Sequence, residues 1–195
     1  MNALMLVLSI IIAVIFIITS IVLFIKNQEL CAKLKYVDEA NMWHKLAIMD
    51  DLTKIYNRNA FNMRFERIKE NIKSGTTGAI IVFDIDDFKL INDTKGHLMG
   101  DEILIRTARI LYETFPEPKY GVFRIGGDEF AVLSENVMES EIIRRLLQVR
   151  IRLSERRDKI RLSKGYSLIT DNPEEAFKYA DEMLYADKLA KKIQN

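Results

Sequence analysis

The sequence predicts an α+β domain, helices packed against one sheet, preceded by one transmembrane helix and a linker helix. Three observations predict it. All 29 basic and 28 acidic residues lie after Ile25, so an apolar segment without formal charge precedes a mixed-charge chain. From Asp51 onward the apolar spacing alternates between helical and strand periods. The resulting order, helix, strand, helix, hairpin, helix, strand, helix, suits a sheet with helices packed against it.

The charge-free run Ala3 to Ile25 spans roughly 34 Å as a helix, enough for a bilayer core. A cleaved signal peptide is the competing reading. It lacks support here, because the run is too long, no basic region precedes it and no small-x-small site closes it. Lys26, Lys33 and Lys35 crowd its C-terminal flank, which orients the remainder toward the cytoplasm. Residues 1–26 are therefore expected to be a single-pass anchor in a lipid bilayer, with the rest of the chain on its cytoplasmic side. Residues 27–50 contain no Pro or Gly. Leu30, Leu34, Val37, Asn41, His44 and Ile48 recur at alternating spacings of four and three, which fits either one amphipathic linker helix or a short dimeric coiled coil.

Residues 51–195 are expected to form one catalytic domain. Arg58 to Lys73 reads as a helix, ended by Ser74-Gly75-Thr76-Thr77-Gly78. Ala79 to Phe83 is a short β-branched and aromatic run typical of a buried central strand, and its end carries Asp84. His97 to Thr114 has helical spacing up to the breakers Pro116 and Pro118. Val122 to Ile125 and Phe130 to Leu133 flank Gly126-Gly127-Asp128-Glu129, which predicts a hairpin. Met138 to Glu155 reads as a helix with a basic outer face, and a weaker strand falls within Ile160 to Ile169. Asn172, Pro173 and Glu175 signpost a last helix running to about Lys191.

The net charge of +1 gives no reason to expect a nucleic-acid partner. Cys31, the only cysteine, forms neither an internal disulfide nor a zinc site. Chemistry concentrates in two acidic loops, Asp84-Ile85-Asp86 at the end of the buried strand and Asp128-Glu129 at the hairpin tip. Hard oxygen ligands at this density suit Mg²⁺ or Mn²⁺. The tip glycines permit unusual dihedrals and close approach of backbone to phosphate. Metals, cations and positioning are most of what phosphoryl transfer requires.

The string Arg124-Ile125-Gly126-Gly127-Asp128-Glu129-Phe130 is similar to the signature hairpin of GGDEF-domain diguanylate cyclases. Further blocks appear in the family's order: Asp51-Leu52-Thr53 with Asn57-Arg58; Asp84 to Lys89 through Asn92-Asp93, Gly96-His97 and Gly100-Asp101; and Ala180-Asp181 with Leu184-Tyr185. The resemblance covers about Asp50 to Lys192. It implies a palm-like mixed sheet flanked by helices, and condensation of two GTP into cyclic di-GMP by a homodimer of half-sites, with release of pyrophosphate. It places the metal on Asp84, the Ile85 carbonyl and Asp128, and makes Asp128 the proton acceptor for the attacking 3′-hydroxyl. Glu129 would support the metal cluster and Lys89 would stabilise charge on the phosphates. Lys188 and Lys192 would contact their distal end. Asn92 and Asp101 would read the guanine edge, with Phe88 and His97 in the same pocket. The residues alone also allow Asp101 as a helix cap, and His97, Lys188 and Lys192 as ordinary surface groups.

The sequence departs from the family pattern in places. Lys54 stands where a Gly is usual, a Gly-Arg-Asn ending is absent at Lys191-Lys192, and Ser163-Lys164-Gly165 puts a charge in the late strand. Glu117-Pro118-Lys119-Tyr120 replaces the Arg-x-x-Asp of product inhibition, so feedback there is expected to be lost. These departures motivate the alternative of a catalytically poor GTP-binding domain acting as a sensor or scaffold.

Overall fold

The computed structural model describes residues 3–154 and 160–193; within the first helix many side chains, including those of residues 36–46, lie outside the description. The heptad positions Leu34, Val37, Asn41 and His44, and the helix end at Glu155, therefore lie outside the described residues. The chain divides into two compact units, Met1–Lys45 and Leu46–Asn195. In the first, helix α1 (Ala3–Ile48) runs without interruption through Lys26, since no Pro or Gly breaks it. Among the described residues, Ile10–Cys31 is long and apolar enough to cross a membrane.

The second unit is a four-stranded sheet, order β2-β3-β1-β4, built from β1 (Gly78–Ile85), β2 (Tyr120–Arg124), β3 (Glu129–Glu135) and β4 (Leu162–Ile169). Its helices are α2 (Arg58–Ile72), α3 (Phe88–Lys95), α4 (His97–Thr114), α5 (Glu139–Ser154) and α6 (Pro173–Ile193). The helix-flanked sheet matches the expectation. Its mixed character is slight: all three ladders are antiparallel, and the parallel pairing among the described residues is the isolated bridge between Tyr56 and Phe123. The reason is connectivity, because the β2–β3 hairpin returns beside β1 and α5 brings β4 back on its other edge.

Alternation along β1 assigns the two faces. Ala79, Ile81, Phe83 and Ile85 join the core under α4 and α5, with Ile103, Leu104, Leu111, Ile142 and Leu146. Ile80 and Val82 join the core under α2 and α6, with Phe61, Phe65, Ile68, Ala180 and Leu184. A strand covered on both faces needs an unbroken apolar run, which the sequence supplies. By the same parity Asp84 points to the α6 side. β1 continues past Phe83 to Ile85, because its ladders with β3 and β4 extend to Asp84 and Ile85 respectively. The short helix α3, absent from the expected order, starts after Asp87 in a left-handed conformation, φ 57°.

Two local features give expected outcomes. Lys54, at φ 59°, occupies the region that glycine enters freely. Lys54→Gly is expected to stabilise the domain by about 0.5–1 kcal/mol, read from urea unfolding midpoints. At the start of β2, the fully buried Tyr120 donates its hydroxyl to Glu141 at 2.7 Å, and Lys119 donates to the same carboxylate at 2.6 Å. These bonds hold Glu141 down at about 2, while burial and then the Glu141 bond push Tyr120 up to about 12. Because the folded Glu141 value lies below its ordinary 4.5, the cluster stabilises the fold above that pH and loses this as pH falls toward 2. Thermal unfolding across this window should show wild type losing its advantage over Glu141→Gln as the solution is acidified.

Candidate active site

Asp84 ends the apolar run of β1, with Glu129 of β3 and Ser163 of β4 as its cross-strand neighbours. Among the described residues it is the only buried one that carries a charge, 7% exposed. Burial raises its pKa, the hydrogen bond from Lys188 opposes, the charge of Asp128 raises it again, and the net shift is upward. The partner arrives from α6, where Lys188 lies one turn beyond the buried Leu184 and places Nζ 2.6 Å from Asp84 Oδ2. A second pair runs beside it. Lys191 Nζ lies 3.5 Å from Asp86 Oδ2 and donates to Leu162 O at 2.6 Å, Ser163 Oγ at 3.2 Å and Asp187 Oδ2 at 2.8 Å. Ser163 in turn donates to Asp86 Oδ1 at 2.5 Å. Burial alone would raise Asp187, but the bonds from Lys191 and the Lys164 backbone hold it below the usual range.

A cavity of about 260 Å³ opens over this strand end, and its walls include Asp84, Ile85, Phe88, Lys89, Asp128, Lys188 and Lys192. Seven residues selected from sequence thus converge. Glu129 is not on the wall; its carboxylate folds over Gly126, where an added Cβ would lie 2.4 Å from Glu129 Oε2. Neither tip glycine has a positive φ, so the left-handed freedom of glycine is not used at the tip, and at Gly126 an added Cβ would instead meet the Glu129 carboxylate. Asn92, His97 and Asp101 also lie off this wall. Half-buried Asn92 packs on Gly100, where a Cβ would fall 2.0 Å from Asn92 Oδ1 and 3.3 Å from Phe88. Phe88 therefore touches both the cavity and the Asn92 side. Asp101 follows Gly100, within α4 rather than at its cap, and His97 is exposed at the helix start.

Other contributors were given no role from sequence, although Asp86 stood in one of the two acidic loops. Asp86, Arg161 and Lys191 line the cavity, and the loop bearing Asp128 is clamped by arginines. Arg124 donates from Nη2 to Gly127 O at 2.7 Å and from Nη1 to Asp50 Oδ1 at 3.1 Å, while Arg58 donates to Ile125 O. Burial would raise Asp50, but bonds from Thr53 and Arg124 outweigh it and keep the carboxyl low. Asp50 and Arg124 are 74 residues apart, so spacing carries no signal for the pair. Lys191 was recoverable, since it lies three residues after Lys188 on one helix face.

The donor set suits a hard divalent ion. Asp84 and Asp128 are close enough for one to raise the pKa of the other, and the Ile85 carbonyl follows Asp84 directly. Among the described residues no group of three or more His, Cys, Asp or Glu forms a full cage. Mg²⁺ ordinarily takes only one or two protein carboxylates with phosphate and water, so two suffice.

A family model described as diguanylate cyclase, GGDEF domain, matches residues 47–194. The chain belongs to the GGDEF family. Its GGDEF domain is similar to the diguanylate cyclase DosC of Escherichia coli K12, 36% identical over 151 residues, which are 72% of this chain and 33% of that protein. It is also similar to the probable diguanylate cyclase DgcI of the same organism, 45% identical over 87 residues, 45% of this chain and 19% of that one. The chain thus spans about a third or less of the length of these curated relatives. Among solved structures, the coiled coil and GGDEF domain of DgcB from Caulobacter crescentus in complex with c-di-GMP matches with a TM-score of 0.75. Identity there is 28%, covering 86% of this chain and 95% of that one.

Proposed function

We propose that the protein is a membrane-anchored diguanylate cyclase that condenses two GTP into cyclic di-GMP as a homodimer of half-sites. One observation carries the reading: the strand-end Asp84 and hairpin-tip Asp128 meet over one cavity rimmed by Lys89, Lys188 and Lys192. Paired acids beside a ring of cations match a nucleoside triphosphate, whose charge the lysines neutralise.

Asp84, the Ile85 carbonyl and Asp128 would hold Mg²⁺ or Mn²⁺, which when bound supplies charge neutralisation at the phosphates. Asp128 accepts the proton of the 3′-hydroxyl as that oxygen attacks the α-phosphate of the nucleotide in the facing subunit. Pyrophosphate leaves, and the same step in the other half-site closes the ring. Lys89 stabilises charge developing on the phosphates, and Lys188 with Lys192 engages their distal end. Glu129 adds negative charge beside the strand end. Asn92, which packs on Gly100 beside Phe88, and Asp101, the next residue of α4, receive the guanine edge, with His97 at the start of the same helix.

An ionised Asp101 accepts from the N1 and N2 donors of guanine, which adenine lacks. Asp101→Asn is expected to lose about 1–3 kcal/mol of discrimination, measured as the ratio of GTP to ATP turnover. An unchanged ratio removes the base-reading role. Lys119 and Tyr120 are turned onto Glu141, so added product should not inhibit through that segment.

The deciding experiment incubates the purified protein with GTP and Mg²⁺ and identifies the nucleotide product. Specific activity of a fragment from Leu46 should rise with its concentration in the dilute range, while the full chain should be less concentration-dependent. No cyclic dinucleotide at any concentration would favour a GTP-binding sensor or scaffold.

A further inference from the structure

We propose that Lys188 is a resident counter-cation for Asp84, which must let go before a divalent ion is held there, so that ion and nucleoside triphosphate enter the site cooperatively. This rests on the reading of Asp84 and Asp128 as holders of the ion, and adds how their loading is controlled.

The geometry divides the partners into one fixed and one movable. Asp84 sits in a strand laddered on both edges, opposite Glu129 and Ser163, and its side chain is 9% exposed. It cannot leave. Lys188 extends from α6 on a flexible four-carbon stem, its side chain is 34% exposed, and its ion pair with Asp84, at 2.6 Å, is the contact the structure shows for its ammonium. The neighbouring lysine behaves differently. Lys191 is tied to Leu162 O, Ser163 Oγ and Asp187, with Asp86 beside it, and is a strut between α6 and β4.

An ammonium 2.6 Å from Asp84 Oδ2 occupies the oxygen a hard ion needs, and two cations on one carboxylate repel. The other carboxylates on the cavity wall are Asp86 and Asp87, which face Lys191 and Arg161, and Asp128, itself a holder of the ion, so without nucleotide Lys188 stays against the acids the ion needs and competes with it. A triphosphate supplies that alternative: Lys188 moves onto phosphate oxygens and frees Asp84. The same lysine therefore satisfies the buried carboxylate in the empty site and gates its loading. By reciprocity, the ion strengthens nucleotide binding by the factor that nucleotide strengthens ion binding.

The test uses Mn²⁺ alone as probe, the full chain in detergent micelles, and electron paramagnetic resonance to count free Mn²⁺. Titrations are run with and without saturating 3′-deoxy-GTP, which binds without cyclising. Lys188→Met should bind Mn²⁺ on the order of tenfold more tightly than wild type without nucleotide, and the enhancement by the analogue should shrink by a similar factor. Lys192→Met, which removes a charge from the same rim, should change nucleotide-free Mn²⁺ affinity far less. Thermal unfolding gives a second reading: Mn²⁺ should raise the midpoint of Lys188→Met more than that of wild type, because only the variant leaves Asp84 without its cation.

Nucleotide-free Mn²⁺ affinity of Lys188→Met equal to wild type overturns the counter-cation role, as does an equal gain in Lys192→Met. If wild type binds Mn²⁺ with the analogue while Lys188→Met changes nothing, only this role falls. If neither protein holds Mn²⁺ even with the analogue, the metal reading of Asp84 and Asp128 falls with it.

Discussion

Asp128→Ala is expected to fold normally and to form no detectable cyclic dinucleotide. The half-buried Asp128 shares the cavity wall with Asp84, and under the proposed mechanism its loss removes both the proton acceptor and an oxygen ligand. General-base catalysis alone is worth about 10²–10⁴-fold, so the combined loss should exceed that. The loop itself should survive. Ile85 N donates to the Asp128 backbone carbonyl, and Arg124 and Arg58 hold Gly127 O and Ile125 O, none of which involves the deleted side chain.

Stability provides an independent check with a definite sign. Asp84 titrates above its ordinary value in the fold, through burial first and the charge of Asp128 among the further causes. A raised carboxylate opposes folding above its folded pKa, and the opposition fades as acid protonates it. Metal-free Asp128→Ala should therefore unfold at the same or a slightly higher temperature than wild type at neutral pH, with the difference closing on acidification. Turnover with normal metal dependence would remove Asp128 from the mechanism.

Gly165→Ala is expected to be the most damaging conservative change in the scaffold. A Cβ there would fall 1.9 Å from Ala180 O and 2.5 Å from Leu184 N, backbone atoms of α6 that have no rotamer to change. The helix must move away, undoing the packing of Ala180 and Leu184 against Ile80 and Val82. Such overpacking costs about 1–3 kcal/mol or more, which urea unfolding would read directly. Activity should fall further than stability explains, because α6 also carries Lys188 to Asp84 and Lys191 to Asp86. Gly127→Ala is the contrast. Nothing lies within 4 Å of its added Cβ and its φ is not positive, so its stability should stay within about 0.5 kcal/mol of wild type. Equal stability loss in the two variants would show that close helix approach is not what Gly165 provides.

The chain order itself determined much of this molecule. The apolar run of β1, the Gly126-Gly127 hairpin and the capping signals of α6 are local patterns, and each element appears near its expected bounds. Most of the cavity wall was also legible, since strand parity sends Asp84 toward one helix layer and a helical face carries Lys188 and Lys192. α3 was missed because its 8 residues make barely two turns, and one apolar pair on the core side, Phe88 and Ile91, is too short a run to establish a period. What only the tertiary structure decided are contacts between distant segments: Arg124 on Asp50, Ser163 on Asp86, and α6 lying against Gly165. Local sequence sets dihedral preference and periodicity, but which charge meets which carboxylate depends on the packing distance between layers. That distance is fixed here by a missing side chain at Gly165, whose need for glycine no spacing rule announces.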